Sequence, residues 1–373
     1  MSFLYTFLLS FALAFGLTPL VIRFATAKGI LKHPKRKRDL HNKPIPLLGG
    51  LSIIVSFTIT VLINSLLNSN FHVTKEVAGL AVGVVIIAIM GLLDDLFDIK
   101  PYIKALFQII AAILTVAISG SKIEYFTGLV NSNKLVNLPN IISFIATVAW
   151  IFLLTNAFNI IDGIDGLTTG TTIICSLTLF FIGFVRPDAM HIGEYIPVLL
   201  LALAGAAAGF LPFNFNPAKI YLGETGAAFL GFVTAVISIQ GTMKAHTAIA
   251  VFIPLTAMGL PILDISLAYF RRLIMKKPVT EGDKEHIHHR MMQMGLSQRK
   301  TVLILYGINI LLGFVAYWLS ETQYTRLWLI SAIVLILAGG AIYVLYMPLL
   351  KQYMKNGNNN RIKKESQDDQ EEV

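Results

Sequence analysis

The chain has 373 residues, 55% of them hydrophobic, with 30 Lys and Arg against 21 Asp and Glu. Soluble domains carry roughly a quarter charged residues; at 14% charged and a mean hydropathy of +0.71 this chain cannot coat a water-facing surface of its own size, so an integral membrane protein is expected. The same numbers exclude a disordered chain and, with Cys175 as the single cysteine, a disulfide scaffold; the net charge of +9 argues for no nucleic-acid partner, because its meaning depends on where the charges lie.

A membrane-spanning helix needs about 20 mostly apolar residues. Eleven such runs follow one another, at about 3 to 25, 47 to 68, 77 to 93, 103 to 119, 140 to 158, 168 to 186, 195 to 211, 227 to 241, 248 to 270, 300 to 320 and 326 to 347. The first lacks the basic start and small-residue cleavage site of a signal peptide. The seventh contains LAGAAAG, which suits close helix packing, and the eighth is the weakest of the set. Between the fourth and fifth, the Asn-rich segment 121 to 140 suggests a short hairpin. The expected fold is an all-α polytopic membrane protein of about 11 transmembrane helices. Residues 1–347 form its single transmembrane domain, and 348–373 a charged tail with no assigned chemistry.

Lys and Arg in short loops stay on the cytoplasmic side. With the N-terminus outside, 24 of the 30 basic residues fall on the cytoplasmic side and six outside. That sidedness places the C-terminus in the cytoplasm, together with every polar cluster described next.

The first cluster is the basic loop from His33 to Gly50, ending His41-Asn-Lys43-Pro-Ile-Pro-Leu-Leu-Gly-Gly. Most of its charge reads as a topology signal and an attraction to anionic membrane lipids. Its rigid Pro-x-Pro-x-x-Gly-Gly end, with Lys43, is a place where a phosphate could be held. At the end of the third span comes Gly91-Leu-Leu-Asp94-Asp95-Leu-Phe-Asp98. Three carboxylates at one helix end repel one another and call for a cation, and hard oxygen ligands at a membrane surface suggest Mg²⁺ or Mn²⁺ shared with a phosphate. The plain alternative is a solvated helix end.

At the end of the fifth span, Asn156-Ala-Phe-Asn159-Ile-Ile-Asp162-Gly163-Ile-Asp165-Gly166 has two Asp-Gly pairs and two Asn, more than capping one helix requires. Next, Lys219-Ile-Tyr-Leu-Gly223-Glu224-Thr225-Gly226 offers a helix N-terminus for an anion, a carboxylate for a metal and a lysine for phosphate; helix capping is the competing explanation. Asp264 falls within the ninth span, where an ionisable group is a functional candidate or the partner of a base such as Arg271 or Arg272. Finally, His286-Ile-His288-His289-Arg290 could bind phosphate oxygens or move protons near neutral pH. Its spacing does not suit a structural zinc site, and a solvated charged loop is the alternative.

In this order, HNKPIPLLGG, LLDDLFDIKP, NAFNIIDGIDGL, FNFNPAKIYLGETGA, PILDISLAYFRR and HIHHRMMQMG resemble the polyprenyl-phosphate N-acetylhexosamine-1-phosphate transferases, the WecA/TagO-like group of glycosyltransferase family 4. The resemblance runs from about residue 41 to 296. The phospho-MurNAc-pentapeptide transferases are similar too, but their histidine motif is typically HHH, where this chain has His286-Ile-His288-His289. The resemblance implies a multi-pass enzyme of the bacterial plasma membrane, with a homodimer left open. It would move N-acetylglucosamine 1-phosphate from UDP-N-acetylglucosamine to undecaprenyl phosphate with Mg²⁺ and release UMP, beginning a teichoic acid linkage or O-antigen type glycan.

On this resemblance Asp94, Asp95 and Asp162 are the expected catalytic residues, and the same three with Glu224 the expected metal ligands. Lys43, Asn156, Asn159, Asp165, Lys219, His286, His288, His289 and Arg290 would bind substrate. Glu224 departs from the family's usual Asp at that place by one methylene. A secondary transporter is the competing class; it would show inverted repeats and several charges at mid-membrane depth, whereas only Asp264 fits that description here.

Overall fold

The computed structural model describes residues 3–32, 44–67, 71, 73–123, 125–127, 135–186, 195–242, 252–275 and 286–320. Their helices in chain order are α1 (Phe3–Ala27), α2 (Gly49–Leu67), α3 (Lys75–Phe97), α4 (Pro101–Ser119), α5 (Asn140–Ile161), α6 (Leu167–Val185), α7 (Ile196–Asn214), α8 (Gly223–Thr242), α9 (Phe252–Ala257), α10 (Gly259–Met275), α11 (Ile287–Gln293) and α12 (Gln298–Leu319). Two small antiparallel pairs accompany them, β1 (Leu31–Lys32) with β2 (Ile45–Pro46) and β3 (Tyr125–Thr127) with β4 (Leu135–Asn137). The second pair is the hairpin suggested by the Asn-rich segment.

The protein is all-α and polytopic: among the described residues nine helices are long and apolar enough to cross a membrane. They correspond to the first eight expected spans and the tenth. Two departures stand out. The ninth expected span is not one continuous helix within the described residues; it is α9 and α10, interrupted at Met258, with Pro254 and Pro261 flanking the break. Proline removes a backbone donor and crowds the preceding turn, so two prolines seven residues apart favour an interruption. The eleventh span, the tail 348–373 and Lys43 lie outside the described residues.

The eighth span, weakest by hydropathy, is the most buried of the nine. Its small and polar residues let α3, α5 and α2 approach closely, and its core-facing Phe229, Phe232, Val233 and Val236 fill the centre of the bundle. A helix surrounded by protein needs no lipid-facing Leu or Ile, which is why its hydropathy is low.

Local chemistry sets the helix ends that form the site. α3 stops where Asp98 turns into the left-handed region (φ 51), its N–H closing on Asp94 O. α4 restarts at once with Pro101 in its first turn, where a missing N–H is harmless. α5 ends at Asp162, and α6 begins after Gly166, whose φ of +84 admits a glycine readily. The turn before α8 is clasped by glycines: a Cβ on Gly50 of α2 would overlap Gly226, and one on Gly91 of α3 would overlap Thr225. Gly49 and Gly50 donate their N–H groups to Tyr221 O at 3.1 Å and Leu222 O at 2.8 Å. The N–H groups at the Gly-Gly end of the basic loop, where a phosphate was expected, thus hold the chain before α8.

Candidate functional site

The ends of α3, α4, α5 and α8 meet around one ammonium group. Lys104 Nζ of α4 lies 2.8 Å from Asp94 Oδ2 and 3.4 Å from Glu224 Oε1. The other Glu224 oxygen accepts a hydrogen bond from the side-chain amide of Asn159, at the end of α5. Asp94, Lys104, Glu224 and Asn159 thus form one continuous polar chain across four helices. One turn along α4 from Lys104, Gln108 accepts from Asn156 Nδ2 at 2.7 Å, and that amide also donates to Phe152 O. Residues four apart share a helix face, so one face of α4 presents Lys104 to Asp94 and Glu224 and Gln108 to Asn156.

In the sequence, Lys104 counts only among the basic residues of the cytoplasmic side. The available signal was its position: a lysine in an apolar helix, four residues before Gln108 and just after the acidic end of α3. Asp95, adjacent to Asp94, has a different place. Its Oδ1 accepts from Glu224 N–H at 2.8 Å, and its Oδ2 from Thr225 N–H at 3.2 Å and Thr225 Oγ1 at 2.6 Å. Both oxygens are engaged at the first turn of α8, where backbone donors lack helical partners. Asp95 therefore fixes Glu224 in position, and a Cβ on Gly223 would crowd its carboxylate. Asp98 is exposed and apart from this set.

Asp162 and Asp165 also diverge. Asp165 is buried, and its Oδ2 accepts from Asn216 Nδ2 and Ala218 N–H, each at 3.1 Å. It ties the loop after α5 to the segment leading into α8, where sequence analysis had it meeting substrate. Asp162 is partly buried. Desolvation pushes its carboxyl well above the usual carboxylate range; the Thr168 hydroxyl and Lys32 oppose this, and Glu224 and Asp165 add to it. Lys219 has an exposed side chain, and among the described residues no contact joins it to the Asp94–Glu224 chain.

The histidine motif comes to the same loop. His288 is buried so closely on Gly163 that a Cβ there would overlap its ring at Nε2. The rings of His288 and His289 are 4.2 Å apart between centroids. Burial pushes the His288 imidazole down to about 3, with His289 and His286 adding to the effect against the charge of Asp264. His288 is therefore neutral at physiological pH, and its Nε2 has no hydrogen-bond partner among the described residues. His286 packs against Asp264, so the acid in the ninth expected span meets a histidine of this motif. Arg290 is buried on the same short helix.

Could the acids hold a divalent cation? Among the described residues no three His, Cys, Asp or Glu side chains converge as a ready metal cage. The four expected ligands Asp94, Asp95, Asp162 and Glu224 do not form one, because Asp95 is spent on α8 and Lys104 stands between Asp94 and Glu224. The donor chemistry fits a cation bound more sparingly. Asp94 Oδ1 is buried without a hydrogen-bond partner among the described residues, and Asp162 is unfavourable as a charged group unless positive charge approaches. Mg²⁺ commonly takes one or two carboxylates and completes its shell with water and substrate phosphates.

Residues 77–242, from α3 through α8, match the model for glycosyl transferase family 4. A probable undecaprenyl-phosphate N-acetylglucosaminyl 1-phosphate transferase of Bacillus subtilis is 33% identical over 331 residues, covering 89% of this chain and 88% of that protein. A decaprenyl-phosphate N-acetylglucosaminephosphotransferase of Mycobacterium tuberculosis is 31% identical over 372 residues, covering 92% and 89%. An undecaprenyl-phosphate alpha-N-acetylglucosaminyl 1-phosphate transferase of Yersinia pestis is 27% identical over 342 residues, covering 89% and 87%.

Proposed function

We propose that this chain, which belongs to the polyprenyl-phosphate N-acetylglucosamine-1-phosphate transferases of glycosyl transferase family 4, transfers N-acetylglucosamine 1-phosphate from UDP-N-acetylglucosamine to undecaprenyl phosphate, releasing UMP. The observation that carries the reading is the chain Asp94, Lys104, Glu224 and Asn159, lying beside Asp162 and the buried histidines within the matched region and its C-terminal flank. Both substrates are phosphates, one on a lipid at the membrane surface and one soluble. A site for them needs fixed positive charge and hydrogen-bond donors more than a strong base.

The chemistry follows from that need. A phosphate monoester has its second pKa near 6, so most lipid phosphate is already a dianion at pH 7 and can attack without a base. Its oxygen bonds to the sugar-linked phosphorus as the bond from that phosphorus to the bridging oxygen breaks, and UMP leaves with the electron pair. Lys104 offsets charge on the phosphates, released from Asp94 or Glu224 as they bind. Asn159 and Asn156 supply amide donors, and Arg290 a guanidinium suited to diphosphate. Neutral His288 holds the Asp162 loop in place without adding charge. When bound, Mg²⁺ would draw the two phosphates together and stabilise the departing UMP, with Asp94, Asp162 and Glu224 as the protein oxygens available to it.

The clustering of basic residues supports a cytoplasmic site with the N-terminus outside and a bacterial plasma-membrane location. Teichoic acid linkage units and O-antigens begin with this product, and either is a fitting destination. The test is to incubate purified protein with undecaprenyl phosphate, Mg²⁺ and labelled UDP-N-acetylglucosamine. Lipid-linked label with an equal amount of UMP is the expected result, while absence of product from every UDP-N-acetylhexosamine offered overturns the reading.

A further inference from the structure

Asp264 stands outside the Asp94–Glu224 chain, yet its carboxylate is 3% exposed and faces two groups of the histidine motif. Its Oδ1 accepts the Ile287 N–H at 2.9 Å, and its Oδ2 lies 3.0 Å from His286 Nδ1, at ion-pair distance. One buried carboxylate on α10 therefore bonds the first peptide of α11 and faces, at ion-pair distance, the imidazole just before it. From that anchor the order continues: the His286 and His288 rings are nearly parallel, 5.8 Å apart with 8° between planes, and His288 rests on Gly163 between Asp162 and Asp165.

A carboxylate beside one ring nitrogen favours the proton there and frees the other nitrogen, and it fixes the ring's orientation. We infer that Asp264 is a positioning residue for the transfer: it keeps a proton on His286 Nδ1, leaves Nε2 to meet a substrate phosphate, and seats the histidine helix against the Asp162 loop. The inference rests on the phosphoryl-transfer reading of the site. A purely structural Asp264 would instead tie activity to the stability of the fold.

Asp264→Asn separates the two, because it retains an oxygen for the Ile287 N–H and removes the charge facing His286. In the full-length purified protein it is expected to lower kcat about tenfold or more, with KM for UDP-N-acetylglucosamine within about threefold and the thermal midpoint preserved. Asp264→Glu keeps the charge and is expected to recover part of the lost kcat. Combining Asp264→Asn with His286→Gln should lower kcat no further than the more damaging single change, within about threefold, because the two side chains act as one unit. Wild-type kcat in Asp264→Asn, strictly multiplicative effects in the double variant, or equal loss of activity and thermal midpoint in both Asn and Glu variants would each overturn it. The wild-type control keeps the two readings apart: no lipid-linked product from wild type defeats the transferase reading itself, whereas wild-type product with an indifferent Asp264→Asn defeats only this inference.

Discussion

Two regions of the bundle bury polar side chains in opposite ways. Along α1 and α2, Thr6, Ser10, Thr18, Ser52, Ser56 and Asn64 are buried but uncharged, and most bond within their own helix. Thr18 and Ser56 donate to carbonyls four residues back, at 2.6 and 2.7 Å, and Asn64 does the same to Thr60 O at 2.9 Å. Their bonds to neighbouring helices, Ser10 to Ala202 O, Thr6 to Asn64 and Thr18 to Ser52, also join neutral groups. At the ends of α3, α4, α5 and α8 three of the four linked groups, Asp94, Lys104 and Glu224, are charged, and each of the four comes from a different helix. Removing one member of the first region leaves at most a neutral hydroxyl or amide without its partner; removing one of the second strands a charge. Polarity in a membrane protein thus marks function when its partners are ionised, and marks packing when they are neutral.

The largest expected effect is at the centre of the charged region. Lys104→Gln leaves Asp94 and Glu224 facing each other without a cation, and should lower kcat by about 10² or more. The check is lipid-linked product formed per unit of folded protein; near-normal turnover would place Lys104 in the same neutral class as Ser56. Glu224→Gln keeps the hydrogen-bonding shape and removes the charge. It should fall by roughly 10-fold to 10²-fold and need more Mg²⁺ for half-maximal rate, with Glu224→Asp between it and wild type. Full activity with unchanged Mg²⁺ dependence in Glu224→Gln would remove it as a metal ligand.

Gly163→Ala tests the seam between the loop and the histidines. Its new methyl meets the His288 ring, so kcat should drop about tenfold, because small misplacements near the reacting groups are expensive. Rescue by a smaller side chain, His288→Ala in the same background, would show whether crowding is the cause.

The pH dependence of stability gives a smaller effect. His288 is held at about 3 when folded, against 6.5 when unfolded, so below pH 6.5 the unfolded chain binds the extra proton. Its contribution is complete above pH 6.5 and is lost as pH falls from there towards 3, by about 2 kcal/mol at pH 5. His288→Gln should flatten that part of a thermal-midpoint profile measured between pH 7 and 5. Smallest of all, Ser56→Ala should change stability by no more than about 1 kcal/mol and leave turnover within about twofold.

The spans were readable because apolar length is what the membrane demands, and the motif residues because several kinds of polar group recur at unusual density. What was not readable depended on partners distant in sequence. α8 read as the weakest span because hydropathy measures fitness for lipid, and its surroundings are other helices. The division of Asp94 from Asp95 could not be inferred from adjacency: successive helical residues point about 100° apart, so one reaches Lys104 and the other reaches α8. Lys104 was obscured by its usefulness as a marker of sidedness. Asp264 was recognised as unusual, but its partner, 22 residues along the chain, emerges only from the fold.

The glycine clasp has a consequence for how such a chain can diverge. Positions 50, 91 and 226 share one narrow space in which three helices meet the Glu224 turn. A larger residue at any one of them moves Glu224 relative to Lys104, so the side-chain length tolerated at 224 is coupled to the sizes at the other three. Among relatives, these four positions are expected to change together, and a lone swap between Asp and Glu should be harder to accept than one accompanied by a change in the clasp.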